Sequence, residues 1–250
     1  MFALAAVAII PARYASTRFP AKPLARATGK YLIQHVYERV VEARTIDRAI
    51  VATDDERIAA AVRSFGGDAV MTRPDHPTGT DRIAEVAAGL SADLVVNVQG
   101  DEPEIEPASI DLLVWLMDSR PEASMATLAC PFPADADPRS PSTVKVVVDR
   151  RGFALYFSRS LIPYPRDSGG AVEGPGPWLL HVGIYAYRRD FLLSYAGLPA
   201  SRLEQTEKLE QLRALENGHR IAVGLIERAG VGIDTPEEYE AFVARMRGKP

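Results

Sequence analysis

Short apolar stretches alternate with longer amphipathic stretches through the first half of the chain. The apolar stretches, which are expected to form strands, are residues 3–10, 49–52, 69–71 and 94–98. The amphipathic stretches are expected to form helices; the clearest covers residues 30–42, and Thr53 is expected to cap the next one. Strands that alternate with helices in this way predict a parallel sheet with helices on both faces.

The pattern changes after about residue 125. Residues 144–157 predict a β-hairpin, and residues 203–216 predict one continuous helix. The Gly- and Pro-rich residues 166–178 are expected to form a mobile loop. The remaining expected elements are strands at residues 181–187 and 221–226 and a helix at residues 235–247. We therefore predict an α/β fold with a mostly parallel central sheet, as a single domain over residues 1–250 in which residues 130–190 form a smaller lobe containing the hairpin.

Composition narrows the possible functions. The chain has 250 residues, of which 47% are hydrophobic and 25% charged, and its net charge is −4. An acidic balance of this kind argues against broad nucleic-acid binding. The one cysteine, Cys130, excludes a disulfide within the chain and is expected to lie in or near the core. No apolar run approaches the roughly 18 residues of a membrane helix, so a cytoplasmic protein without membrane insertion is expected.

A cationic segment follows the first predicted strand. Arg13, Arg18, Lys22, Arg26 and Lys30 give the first 37 residues a charge of +5, because no Asp or Glu precedes Glu38. Ligands in open α/β sheets bind beyond the carboxyl ends of the strands. The segment is therefore either a site for a polyanion such as a nucleoside triphosphate or a solvated basic loop, and charge alone does not choose between them.

Two aspartates occupy comparable positions. Asp101 follows the predicted strand at residues 94–98, and Asp234 precedes the last predicted helix. Mg²⁺ prefers one or two carboxylates together with phosphate oxygens of a substrate, which these two residues could supply if the fold brings them together. The alternatives are a turn residue for Asp101 and a residue at a helix start for Asp234. Among the four histidines, His181 is the best ligand candidate, because it opens a strand in a region that contains Arg159 and Tyr185.

Eight segments together resemble one enzyme family. They are IIPARYASTRFPAKPL, IVATDDERI, MTRPDHPTGTDR, VVNVQGDEP, TVKVVVDRRGFALYFSR, HVGIYAYR, LEQTEKLEQLR and GIDTPEE. In this order, over nearly the whole chain, they resemble the 3-deoxy-manno-octulosonate (Kdo) cytidylyltransferases. The resemblance implies a Rossmann-like nucleotidyltransferase fold, a Mg²⁺-dependent transfer of CMP from CTP to Kdo for lipopolysaccharide biosynthesis, and a homodimer whose interface involves Tyr187 and the hairpin.

The resemblance also implies roles for individual residues. Those expected at the CTP are Pro11, Ala12, Arg13, Lys22, Thr72, Arg73, Gly79 and Gln99, with Arg13 and Lys22 on the triphosphate. Asp101 and Asp234 are expected to hold Mg²⁺ and, with Arg13 and Lys22, to be the catalytic residues. Those expected around the sugar acid are Arg159, His181, Tyr185, Glu210 and Gln211.

One position departs from the family pattern. The family usually has glycine immediately before the lysine of the first segment, whereas this chain has Ala21. Glycine permits a positive φ and a close approach of backbone to phosphate, so Ala21 puts the geometry of this loop in question. Two other functions remain open: a cytidylyltransferase for a related sugar acid, such as 8-amino-Kdo or a sialic acid, and a nucleotide-binding regulator without catalysis.

Overall fold

The computed structural model describes residues 4–15, 18–133, 136–172 and 176–248. These residues divide into two compact units, one formed by the residues up to 114 together with those from 230 onward, and the other by residues 115–229. None of the helices in the described part of the chain has the length and apolarity that a membrane span needs.

The first unit contains a parallel sheet with the strand order β3-β2-β1-β4. Its strands are β1 (Ala6–Ala12), β2 (Arg48–Thr53), β3 (Ala69–Met71) and β4 (Leu94–Asn97). Its helices are α1 (Leu32–Val41), α2 (Glu56–Ser64), α3 (Gly79–Ala88) and α8 (Pro236–Arg247), and the division between the units falls within α4 (Pro107–Ser119). Because the four strands are parallel, their carboxyl ends lie at one edge of the sheet.

The second unit contains a mixed sheet. Its strands are β5 (Met125–Pro131), β6 (Lys145–Val148), β7 (Ala154–Ser158), β8 (Leu179–Arg188) and β9 (Ile221–Leu225). Strand β5 pairs antiparallel with β8 and parallel with β9, and the hairpin of β6 and β7 pairs with β8 through β6. The helices of this unit are α5 (Arg189–Ala196), α6 (Arg202–Glu207) and α7 (Leu212–Glu216).

Most predicted elements are confirmed. The α/β class, the central sheet, the hairpin and the buried position of Cys130 agree with the sequence analysis. Of the predicted strand at residues 3–10, residue 3 lies outside the described part of the chain, as do residues 173–175 of the predicted loop at 166–178. The described part of that loop includes a short 3-10 helix, Arg166–Ser168.

Two local predictions were wrong. Thr53 does not cap α2: it ends β2 with its side chain fully buried, and Asp55 is the cap, accepting a hydrogen bond from the backbone N–H of Arg57. The helix predicted at residues 203–216 is broken at Lys208, whose φ is +55°. Across the break the Arg213 guanidinium pairs with the Glu204 carboxylate at 2.5 Å. Contacts between distant residues thus override the local helical pattern.

Candidate functional site

The cationic loop after β1 ends at Lys22, which is the first residue of a 3-10 helix (Lys22–Leu24). The Lys22 Nζ atom donates to Asp101 Oδ2 at 2.8 Å, to the Ile233 carbonyl at 2.7 Å and to Asp234 Oδ1 at 3.3 Å. An ammonium group has three N–H donors, and these three oxygens use all of them. The fold therefore brings Lys22 together with Asp101, 79 positions later in the chain, and with Asp234, 212 positions later.

The C-terminal helix fixes the position of Asp234. A capping box between Thr235 and Glu238 begins α8. The helix packs through Tyr239, Phe242 and Val243 against a buried cluster that includes Leu32. The backbone N–H of Ile233 donates to the carbonyl of Asp101 at 2.9 Å, so the two aspartate segments are tied together directly.

The two carboxylates suit a hard cation in kind and number. The Asp101 side chain is 32% exposed and that of Asp234 is 47% exposed, so solvent and a ligand can reach both. Within the described residues, no group of three or more His, Cys, Asp or Glu side chains could hold a metal ion. Two accessible carboxylates beside a cationic loop match the way Mg²⁺ binds, with most of its ligands coming from phosphate and water.

Arg18, which the sequence analysis named only as part of the cationic segment, and Glu102, which it did not select, also belong to this cluster. Arg18 pairs with Asp234 at 3.1 Å. Burial raises the pKa of Glu102 to about 7, and the neighbouring Asp101 carboxylate adds to the increase. Glu102 therefore holds its proton to a higher pH than an ordinary glutamate does.

Backbone segments crowd together beside the end of β1. A Cβ atom at Gly100 would lie 2.9 Å from the Pro11 carbonyl oxygen, so glycine is required there by close packing. A Cβ atom at Gly79 would lie 3.5 Å from the Pro11 ring. Gly79 is the first residue of α3, whose N-terminal N–H groups favour anionic ligands. The structure therefore brings Pro11 close to Gly79 and to Gly100, which follows Gln99, so that three of the segments expected at CTP lie together.

Helix α3 organises the loop that contains Thr72 and Arg73. Fully buried Arg82 donates to the Thr72 hydroxyl and pairs with Asp54. Glu85, three residues further on, accepts from the Arg73 backbone N–H at 3.2 Å and contacts the ring of His76.

The same loop supports Arg13, because Arg13 donates to the His76 carbonyl at 2.8 Å. Sequence reasoning missed Arg82, Glu85 and His76 as supports. Only the spacing of Arg82 and Glu85 by three residues on one helix could have indicated a shared role. The structure places Ala12 at the end of β1 and Gln99 in the loop after β4.

The residues expected around the sugar acid lie in the second unit. Arg159 donates through three of its nitrogens to the carbonyls of Glu207, Pro141 and Lys208. Carbonyl partners do not neutralise the charge, and the contacts that Arg159 makes within the described residues use three of the five guanidinium N–H groups.

The other four residues of this set make contacts within the second unit or lie buried in it. Gln211 is 4% exposed, and its Nε2 atom has no hydrogen-bond partner among the residues described. A buried donor of this kind costs free energy unless a ligand satisfies it. The rings of His181 and Tyr185 lie with centroids 5.6 Å apart, and the Glu210 carbonyl accepts from the Tyr195 hydroxyl.

Comparisons with known proteins show the family to which the chain belongs. A model of the cytidylyltransferase family matches residues 7–221. A relative from Syntrophotalea carbinolica, named 3-deoxy-manno-octulosonate cytidylyltransferase, is 55% identical over 96% of this chain and 98% of its own. The chain belongs to the 3-deoxy-manno-octulosonate cytidylyltransferase family. Another member of this family, from Geobacter sulfurreducens, is 51% identical with the same coverage of each chain.

Solved structures extend the family comparison. A CMP:2-keto-3-deoxy-manno-octonic acid synthetase complexed with CTP has 49% identity and a TM-score of 0.91, with 98% of this chain and 99% of that chain covered. A cytidylyltransferase from Leptospira borgpetersenii has 15% identity and a TM-score of 0.66, with 98% and 87% covered, and shares the fold alone. The Kdo cytidylyltransferase family and the nucleotidyltransferase fold are thus confirmed.

Ala21, where the family usually has glycine, keeps the left-handed conformation, with φ 57° and ψ 22°. The left-handed region costs an alanine about 1–2 kcal/mol of conformational free energy. It costs glycine little, but glycine loses more backbone entropy on folding. We expect Ala21→Gly to raise the free energy of unfolding by about 0.5 kcal/mol and Ala21→Val to lower it by more than about 1 kcal/mol. Thermal unfolding of the three proteins checks both signs.

Ala25 provides a matched control for this effect. It lies four residues further along the chain with φ −58°, an ordinary value for alanine. Ala25→Gly should therefore lower the thermal midpoint through the entropy of glycine alone. If Ala21→Gly and Ala25→Gly lowered the midpoint equally, Ala21 would not be strained.

Proposed function

We propose that this chain transfers CMP from CTP to the anomeric hydroxyl of Kdo, giving CMP-Kdo and pyrophosphate, as a cytoplasmic step of lipopolysaccharide biosynthesis. The observation that carries the proposal is the contact of Lys22 with both Asp101 and Asp234, in a chain about half identical to named Kdo cytidylyltransferases over nearly its full length. A regulator that only binds nucleotide has less need of two accessible carboxylates beside a cationic loop.

The chemistry needs charge control more than a nucleophilic side chain. The anomeric oxygen forms a bond to the α-phosphorus, the bond from that phosphorus to the bridging oxygen breaks, and the hydroxyl proton passes to solvent. Sugar carboxylate and triphosphate repel each other, by roughly 4 kcal/mol for two unit charges 4 Å apart at an effective dielectric constant of 20. Cationic groups must offset this repulsion and stabilise the departing pyrophosphate, and the protein must align the attack.

Within this proposal Asp101 and Asp234 hold Mg²⁺, which when bound neutralises charge on the phosphates. Arg13 and Lys22 bind the triphosphate. Because all three donors of Lys22 are used within the protein, a phosphate oxygen must replace one of its present partners. The other residues proposed to border the nucleotide are Pro11, Ala12, Thr72, Arg73, Gly79 and Gln99.

The sugar acid is proposed to lie against Arg159, His181, Tyr185, Glu210 and Gln211. Support comes from the two guanidinium N–H groups of Arg159 for which the described residues provide no acceptor, and from the buried amide of Gln211. A cation and a buried donor suit a ligand that carries both a carboxylate and hydroxyl groups.

A panel assay tests the substrate assignment. Pyrophosphate release is measured with CTP or UTP, Mg²⁺, and Kdo, 8-amino-Kdo or a sialic acid. We expect kcat/KM to be highest for the pair of CTP and Kdo, by at least about tenfold. A higher value for another sugar acid would reassign the substrate, and no release with any pair would leave nucleotide binding as the function.

We also propose that the chain forms a homodimer through the hairpin of β6 and β7. The expected contribution of Tyr187 was wrong, since its side chain is 3% exposed and packs against Phe191 and Tyr195 within the chain. The hairpin does expose Leu155, which is 61% accessible. Large exposed apolar side chains are common where proteins associate.

Leu155→Glu is expected to raise the dimer dissociation constant at least about tenfold, because it places a charge in an apolar contact. Sedimentation velocity over a range of protein concentrations measures the change. Val41→Glu is the control, since Val41 is 52% exposed on α1, away from the hairpin in the chain. A dimer that both variants leave unchanged would exclude the hairpin as the interface.

A further inference from the structure

Thr127, on β5, makes three hydrogen-bond contacts through one hydroxyl group. Its side chain is fully buried. The Oγ1 atom lies 3.1 Å from the Val182 carbonyl, 2.9 Å from the Ile184 carbonyl and 3.0 Å from Nε2 of His181. No residue role assigned so far includes this threonine.

The donors and acceptors around Thr127 fix the tautomer of His181. A hydroxyl has one proton, and both carbonyl oxygens can only accept, so the proton of Thr127 points to the carbonyls. The hydroxyl oxygen is then an acceptor toward the imidazole, and Nε2 must carry the hydrogen. Nδ1 of the neutral ring therefore keeps its lone pair.

The surroundings of the ring keep it neutral. Burial lowers the pKa of His181 to about 3, so the second nitrogen is unprotonated near pH 7. The ring packs edge-on against Phe157, with centroids 4.9 Å apart. Among the described residues, Nε2 is the ring nitrogen that makes a hydrogen bond.

A β-bulge creates this arrangement. Thr127 pairs with Tyr185, but the next residue of β5, Leu128, pairs with Val182, which leaves two residues of β8 without partners in the ladder. The Thr127 hydroxyl binds the carbonyls of Val182 and Ile184 at this point and so stabilises the bulge. Bulges of this kind often re-aim side chains next to active sites.

Space is available beside the bulge. Gly183 lies between His181 and Tyr185 along β8, and a Cβ atom at this position would meet no atom within 4 Å. Glycine is therefore not required there by packing. The strand that carries the rings of His181 and Tyr185 therefore has open space at Gly183.

We propose that Thr127 is a positioning residue that holds Nδ1 of His181 as a hydrogen-bond acceptor for a hydroxyl group of the sugar acid. The proposal rests on the proposed function. It separates the roles in this set of residues: His181 recognises a hydroxyl, and the carboxylate of the sugar acid binds the remaining N–H groups of Arg159.

Two substitutions separate the hydroxyl of Thr127 from its shape. Thr127→Val keeps the shape of the side chain but loses the hydroxyl group that accepts from Nε2 of His181. Thr127→Ser keeps that hydroxyl group and loses only a methyl group. We expect Val to raise KM for Kdo about tenfold with KM for CTP unchanged, and Ser to stay within about threefold of the parent. A long-range ¹H–¹⁵N correlation spectrum, with the His181 signals assigned by their loss in His181→Gln, should show the Nε2–H tautomer in the parent and the serine variant.

The outcomes are distinct. A proton on Nδ1 of His181 in the parent protein, or an equal rise of both KM values in Thr127→Val, would overturn the proposal. The tautomer is read in the parent without substrate, so the result stands even if the valine variant does not fold. Absence of CMP-Kdo synthesis by the parent would instead contradict the proposed function and leave the tautomer result in place.

Discussion

Asp101→Asn and Asp234→Asn are each expected to lower kcat at least about 10²-fold, the loss typical when one electrostatic contact to the reacting groups is removed. Asparagine has nearly the same shape, and both aspartate side chains are a third to a half exposed, so the fold should persist. Each variant should also need more Mg²⁺ for half-maximal activity, because an amide oxygen is a weaker ligand than a carboxylate. Initial rates over a Mg²⁺ titration measure both effects.

Glu240→Gln serves as the matched control. Glu240 is an exposed acid on α8, and its change to glutamine removes one negative charge, as each Asp→Asn change does. Its rates and its Mg²⁺ dependence should equal those of the parent. Normal turnover in either aspartate variant would refute the assignment of that residue to the metal. Equal losses in all three proteins would indicate an effect of net charge alone.

Lys22→Met is expected to change two measurements in opposite directions. Turnover with CTP should fall at least about 10²-fold, since the triphosphate loses a cation. The Lys22 side chain is only 12% exposed and contacts both carboxylates. Its removal should therefore tighten Mg²⁺ binding to the CTP-free protein by about tenfold, because the ammonium no longer competes for the same oxygens. Calorimetry measures the binding, and pyrophosphate release measures the turnover.

Lys30→Met tests whether charge alone explains these changes. Lys30 pairs with Glu38 on the surface and is 49% exposed. We expect neither measurement to change in this variant. Weaker Mg²⁺ binding in Lys22→Met would show that Lys22 organises the carboxylates and does not compete for them.

The arrangement of the residues expected at the nucleotide, in the first unit, could be anticipated from the sequence to a large extent. Parallel strands place their carboxyl ends at one edge of the sheet, so the segments of Pro11 and Asp101 had to lie near each other. The capping box at Thr235 was readable from local sequence, and it fixed the start of the helix beside Asp234. Even the left-handed conformation of Ala21 follows from the glycine that the family usually has there.

The arrangement of the residues expected at the sugar acid, in the second unit, could be anticipated much less well. Residues 203–216 contain no glycine or proline, yet the helix breaks at Lys208 because Arg159 and Arg213 bind groups around the break. The bulge that joins Thr127 to His181 depends on pairing between strands 54 residues apart. Contacts of this kind leave no periodic signal in the sequence, so only coordinates could show them.

The most direct test of the account is the identity of the product made from CTP, Mg²⁺ and Kdo. The purified chain is incubated with these three compounds, and mass spectrometry and a phosphate assay follow the products. We predict CMP-Kdo and pyrophosphate in equal amounts, with no product when Mg²⁺ is withheld. CTP consumed without CMP-Kdo, or Kdo left unmodified at saturating CTP, would contradict the account.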